Sequence, residues 1–178
     1  AISSIISQYL GANKIEDVKN LPVQAIAIIL AISLIICLGS YPFSKEIFEL
    51  YNATGLLLDF SVSYYQIRII GLPFTLYTFA VFGVFRGLQN TYYPMIIAII
   101  GSLVNIGLDL LLVYGIEGFI KALNLKGAAI ASVLSQLLMA GLATYFLLKK
   151  TEISLRFSRP FNKEIPKFMN MIGHLIVR

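Results

Sequence analysis

Apolar residues run through this chain in long windows, broken by short polar joints. Asn20–Ser44, Ile69–Phe85, Gly87–Leu108 and Gly127–Leu148 carry no charged residue at all. A helix needs about 20 mostly apolar residues to cross a hydrocarbon core of ~30 Å. The pattern therefore predicts membrane-spanning helices over about residues 21–40, 67–88, 94–114 and 127–148. A membrane β-barrel would instead show segments of about ten residues with strict alternation. The windows are solidly apolar, so the predicted fold class is all-α: a polytopic transmembrane helical bundle.

The joints fit that reading. Gly11 is placed to cap a helix over Ala1–Leu10. Pro22 suits the first turn of the next helix, and Gly39 to Pro42 close it. Residues 43–66 are mixed in character. Phe43, Ile47, Leu50 and Tyr51 recur at helical spacing and predict an interfacial amphipathic turn. Tyr64 and Tyr65 suit an aromatic belt. Gly71 and Pro73 should kink the second span or mark its entry. Pro94 opens the third span, and a basic loop over Lys149–Pro166 follows the fourth.

Composition narrows the class. Of 178 residues, 58% are hydrophobic and 13% charged, the latter about half of the ~25% usual for soluble domains. Mean hydropathy is +0.82. Disorder and a disulfide scaffold are excluded. Cys37 is the single cysteine and lies in an apolar window, where packing is its expected role. The net charge of +5 comes with no nucleic-acid motif. Basic loops of a membrane protein account for it.

Loops that alternate across a membrane put Lys14, Lys19, Arg86, Lys149, Lys150, Arg156, Arg159, Lys163 and Lys167 on one side. Lys45, Arg68, Lys121 and Lys126 fall on the other. The first side is expected to be cytoplasmic, in a plasma or inner membrane. The apolar runs at the two ends, Ala1–Leu10 and Met169–Val177, are each too short to span, and the chain does not begin with Met. An internal piece of a longer protein is expected.

Asp109 is the main chemical signal, the only acid inside a long apolar span. A carboxylate at mid-membrane costs about 2.5–3.5 kcal/mol on insertion scales, so it should face a cavity or a partner. Asn105 lies one turn earlier on the same face, and Ser102 extends the stripe. Asp109 falls roughly 22 Å past Pro94, in the outer half of the span. A buried carboxylate can take up and release a proton. With Asn105 beside it, Asp109 is equally a candidate site for Na⁺.

Ser132, Ser135 and Gln136 form a polar face on the last span and are candidates to complete that site. Gly127, Ala131 and Ser135 also make a small-residue ridge for close packing. Thr75, Tyr77 and Thr78 are candidate cavity-lining residues, with core or lipid-facing roles as the alternative. Arg86 is a candidate gate residue at a helix end, or a side chain that snorkels to headgroups. His174 is read as a packing residue. Metalloprotease, nucleophile-elbow and phosphate-loop signatures are absent. No enzyme activity and no cofactor are expected.

Several stretches carry a family resemblance. Ser7-Gln8-Tyr9-Leu10-Gly11-Ala12-Asn13-Lys14 resembles the end of the second helix of the multidrug and toxic compound extrusion (MATE) family. Phe85-Arg86-Gly87-Leu88-Gln89-Asn90-Thr91 with Pro94 resembles that family's arginine–glycine loop before the fifth helix, although Gln89-Asn90 stands where Gly-Asp is usual. Asn105-Ile106-Gly107-Leu108-Asp109 resembles the Asn-xxx-Asp of the fifth helix, and Gly127-Ala128-Ala129-Ile130-Ala131-Ser132 the start of the sixth. Ser132 stands where relatives often have threonine. The DinF-like branch is the nearest in appearance.

The resemblance implies part of one six-helix lobe of a two-lobe transporter, from the end of helix two to the start of helix seven. It implies antiport: export of an amphipathic or cationic organic compound against H⁺ or Na⁺, with Asn105, Asp109 and Ser132 at the coupling site. The expected partners are that substrate, membrane lipid and the rest of the same chain, not nucleic acid. Two rivals stand beside this reading. A lipid-linked oligosaccharide flippase of the same superfamily should show a large cationic cavity. A non-transporting membrane scaffold would use Asp109 as a structural hydrogen-bond partner.

Overall fold

The structure, a computed structural model, describes residues 2–116, 121–151 and 162–176. Its regular elements are helices: α1 (Ile2–Gly11), α2 (Leu21–Ser40), α3 (Ser44–Leu50), α4 (Gly55–Ile70), α5 (Leu72–Gly87), α6 (Tyr92–Tyr114), α7 (Leu125–Lys150) and α8 (Ile165–Ile176), with a short 3-10 turn at Ile15–Val18. The middle of the basic loop, with Arg156 and Arg159, lies outside the described residues, as does the side chain of His174.

Among the described residues three helices are long and apolar enough to cross a bilayer alone: α2, α6 and α7, of 20, 23 and 26 residues. At ~1.5 Å per residue even the shortest covers about 30 Å. Helices α4 and α5 pass the same test as a pair bent by 42°. This differs from the expectation of a span opening near residue 67. Residues 55–66 form one continuous helix with the four that follow, because α4 packs along α7. The interfacial turn is confined to α3, which leans on α4 through Phe48 and Tyr65, ring centroids 5.7 Å apart, and through Gln66 Nε2 donating to Ser44 Oγ at 3.0 Å. Gly55, with φ +58°, supplies the left-handed residue that turns the chain into α4.

The bend between α4 and α5 has a local cause. Pro73 has no N–H to donate one turn back, and Gly71 lacks the side chain that would block a close neighbour. Polar groups released by such a break in a membrane helix need partners from adjacent helices.

The apolar core gathers at the end of the bundle where α1 finishes and α2 begins. Ile5, Ile6, Leu21, Ala25, Val84, Phe85, Ile97 and Leu147 are fully or almost fully buried there, together with Phe168 of α8. Tyr93 sits between Phe85 and Phe146, with centroids 5.5 and 5.0 Å away. Polar ties close the same end. Gln24 Oε1 accepts from the Asn162 backbone N–H at 2.8 Å, and Tyr9 O–H donates to Glu164 at 2.9 Å.

The other half is more open. Along α6, Met95, Ile99, Leu103, Ile106, Leu110 and Tyr114 form an exposed stripe at helical spacing, suited to face lipid. The opposite side of α6 makes the most extensive helix pair in the fold, with α7. Lipid tails remove the hydrophobic drive between spans, so close backbone approach through small residues must hold them. Gly127 does this: a Cβ there would meet the Leu112 carbonyl, and Gly101 lies equally close to Met139.

Gly127→Val should therefore destabilise the full-length protein by about 1–3 kcal/mol, the usual cost of overpacking. Gly107→Ala, at a position with nothing near its would-be Cβ, should be neutral. Thermal unfolding of the purified variants checks both.

Candidate functional site

The polar residues of the bundle interior collect between α4, α6 and α7. A cavity of about 210 Å³ is lined there by Arg68, Gly101, Ser102, Asn105, Ser132, Ser135, Gln136 and Met139. The stripe on α6 and the polar face of α7 thus meet across one space. Helical spacing puts Ser102 and Asn105 on one face of α6, and Ser132, Ser135 and Gln136 on the facing side of α7. The closeness of the two helices at Gly101 brings those faces within reach of one another.

Asp109 sits one turn beyond Asn105, about 6 Å further along α6, and is half-buried. It does not line the cavity itself. Its Oδ1 is enclosed and has no hydrogen-bond partner, and the Nδ2 of Asn105 is enclosed and unpartnered too. A buried polar atom left without a partner costs about 1–3 kcal/mol, and more when the group is charged. An acceptor and a donor on one helix face, both unsatisfied, leave room for an occupant to matter.

A proton on Asp109 needs no further ligand. Na⁺ as cargo would need oxygen donors, and Asp109 with the Asn105 carbonyl oxygen and Ser132 hydroxyl are of the right chemistry. Among the described residues no three His, Cys, Asp or Glu side chains gather to hold a metal. One carboxylate with neutral oxygens suits a monovalent ion better than a divalent one.

Arg68 is the residue that sequence reasoning misplaced. It was assigned to a loop on the outer side, yet it stands in α4 three residues before the bend and reaches the cavity. With its amide oriented to satisfy both ends, Gln136 accepts from Arg68 Nη1 at 2.9 Å and donates to the Gly71 carbonyl at 3.2 Å. Gln136 therefore joins α7 to the break between α4 and α5. Its amide occupies the space a Cβ on Gly71 would take. The available signal was the setting of Arg68, flanked by Ile67, Ile69 and Ile70. No true loop charge needs such neighbours.

Thr75, Tyr77, Thr78 and Arg86 are not among the residues lining this cavity. Thr75 Oγ1 donates to the Gly71 carbonyl at 3.1 Å, beside Gln136. Thr78 is buried and donates to the Phe74 carbonyl at 2.8 Å. Tyr77 O–H pairs with Thr144 Oγ1 at 2.6 Å, and Thr144 in turn donates to Ala140. Ser135 Oγ donates to the Ser132 carbonyl at 2.9 Å, which satisfies it within its own helix. Arg86 is exposed and borders a separate groove of about 470 Å³ with Ile2, Ile29, Ile32 and Phe168. The loop after it is closed by backbone bonds, Gln89 N–H to Arg86 and Asn90 N–H to Phe85, with Asn90 Oδ1 accepting from Tyr92 N–H at 3.1 Å.

A bundle of spanning helices with a broken span and a polar interior cavity is the architecture of a multi-pass membrane protein. The family model MatE matches residues 1–111, and the chain belongs to that family. Its relatives include Protein DETOXIFICATION 42 of Arabidopsis thaliana, 37% identical over 52% of this chain and 17% of the relative. The probable multidrug resistance protein NorM of Thermotoga maritima is 28% identical over 85% of this chain and 32% of its own length. Multidrug export protein MepA of Staphylococcus aureus is 26% identical over 94% and 37%. Among solved structures, an inward-facing multidrug resistance MATE transporter of the MOP superfamily superposes with a TM-score of 0.84 at 25% identity, over 97% of this chain and 39% of that one. A MATE structure in the bent conformation gives 0.86, over 97% and 38%. The chain thus spans no more than about two fifths of these relatives.

Removing the Gln136 amide should loosen the bend. Gly71→Ala displaces that amide and should cost about as much as Gln136→Ala, roughly 1–3 kcal/mol. The double variant should cost little more than either one, since both remove the same contacts. Denaturation of the three purified variants measures the coupling.

Proposed function

We propose that the protein to which this chain belongs is a secondary active antiporter, exporting amphipathic or cationic compounds in exchange for H⁺ or Na⁺. In this reading the chain supplies the end of helix two to the start of helix seven of the first of two six-helix lobes. The single observation that carries it is the enclosed, unpartnered Oδ1 of Asp109, one turn from the unpartnered Nδ2 of Asn105. The printed names of the relatives, multidrug resistance and multidrug export, support the substrate class.

The physics is a change of charge where water is scarce. An ionised Asp109 without donors is unfavourable inside an apolar bundle. A proton or Na⁺ neutralises it and removes the penalty. If the inward- and outward-facing states enclose Asp109 to different degrees, neutralisation shifts their populations. A substrate that prefers one state then moves against the ion. The cation-binding residues are Asp109 and Asn105, with Ser132 across the cavity.

The scaffold rival fits less well. A structural acid should have both oxygens held, and one oxygen of Asp109 is not. The flippase rival calls for a large cationic cavity. Here the charge enclosed on α6 is the acid Asp109, which favours the exporter.

Asp109→Asn in the full-length protein should abolish gradient-driven efflux of a cationic dye from proteoliposomes, with insertion and thermal stability retained. Efflux at the wild-type rate by that variant would remove Asp109 from the coupling step.

A further inference from the structure

Arg68 poses a separate question. A permanent positive charge half-buried among apolar helices is best satisfied by an anionic partner. The ion pairs among the described residues lie elsewhere, at Lys19–Glu16, Lys45–Glu49 and Lys167–Glu164. Gln136 is neutral and accepts from one guanidinium nitrogen, and a guanidinium has five N–H donors in a planar fork. Among the described residues no acid lines the cavity that Arg68 borders. Its polar lining is Ser102, Asn105, Ser132, Ser135 and Gln136, hydroxyls and amides able to donate. Ser135 is already used within its helix, whereas the Asn105 amide nitrogen has no acceptor.

A guanidinium ringed by hydroxyl and amide donors, with no acid among the described lining residues, is the donor set of an anion site. We propose that the cavity between α4, α6 and α7 binds an anion, with Arg68 holding a carboxylate and Ser102, Ser132 and Asn105 completing its hydrogen bonds. Drug-sized pockets measure about 300–1,000 Å³. At about 210 Å³ this cavity admits a small carboxylate or the carboxylate end of a longer molecule. A free halide shares the chemistry but not the two-pronged geometry that a planar fork selects. The site shares Asn105 and Ser132 with the cation reading but is anchored on Arg68, which that reading does not use. An ionised Asp109 one turn past Asn105 opposes an anion, so neutralising Asp109 strengthens the site.

Calorimetric titration of the purified full-length protein tests this, with benzoate as the carboxylate, chloride as the halide and benzylamine as the cationic control. Benzoate should bind saturably, and Arg68→Gln should weaken it by about tenfold or more. Equal benzoate affinity in wild type and Arg68→Gln overturns the proposal. Because Arg68→Gln also disturbs the bend, Ser102→Glu provides a second route. It leaves the Arg68–Gln136 contact in place and offers Arg68 a tethered carboxylate, so benzoate binding should be lost, and unchanged affinity overturns the site. Arg68→Lys keeps the charge without the fork. Chloride binding that survives this change while benzoate binding falls supports a carboxylate. Arg68-dependent chloride binding with no benzoate response supports a free halide in the same site. Asp109→Asn should retain or tighten benzoate binding. Loss of its dye efflux with benzoate binding intact supports both readings, and wild-type efflux with benzoate binding intact sinks only the antiport reading.

Discussion

An apolar solvent leaves a backbone break nowhere to go, and the fold of this chain turns on how one such break is held. Between α4 and α5 the helix bends by 42°, because Pro73 cannot donate and Gly71 cannot crowd. In water the freed carbonyl would bind solvent. In lipid such a break needs polar neighbours from adjacent helices, and Gln136 of α7 is placed to donate to the nearby Gly71 carbonyl, which also accepts from Thr75. That same amide accepts from Arg68. A backbone defect, a neutral amide and a permanent charge are thereby joined, and the joint also lines the polar cavity. Straightening the span, moving α7 or discharging the cavity each disturbs the other two.

Where the fold was legible, one physical signal dominated. The charge-free windows located α2, α6 and α7 because a spanning helix tolerates few charges, and Pro22 and Pro94 marked two starts because proline fits a first turn. Residues 55–66 were harder. Asp59 and the mixed polarity of that stretch suggested an interface, while packing along α7 carries the helix through it. Charge content reports the local solvent only when a helix faces lipid. A helix partly covered by protein can hold polar residues without leaving the bundle.

The site divides the same way. Ser102, Asn105 and Asp109 on one face, and Ser132 and Gln136 on another, followed from the 3.6-residue period alone. That the two faces meet required knowing how α6 and α7 pack. Gly101 and Gly127 carried that information, but a close approach cannot be assigned to a partner from sequence. Arg68 was hidden by the positive-inside argument, which treats every basic residue as a loop marker. Tyr77 left a cavity wall and a core role both open, and its hydrogen bond to Thr144 joins α5 to α7.

Packing is unevenly distributed along the bundle, and the unevenness has a mechanical consequence. The end that holds Phe85, Tyr93, Phe146 and Phe168 is filled with large side chains and tied by Gln24 and Tyr9. Dense interiors resist small displacements. The half that holds Asp109 and Arg68 keeps a cavity, a bent span and two unpartnered polar atoms. Regions with fewer buried contacts open at lower free energy. In the proposed reading, neutralising Asp109 would act on the compliant half, against a more densely packed base. Were the packing reversed, with the cavity surrounded by close-packed aromatics, a carboxylate that bound an ion there would move nothing.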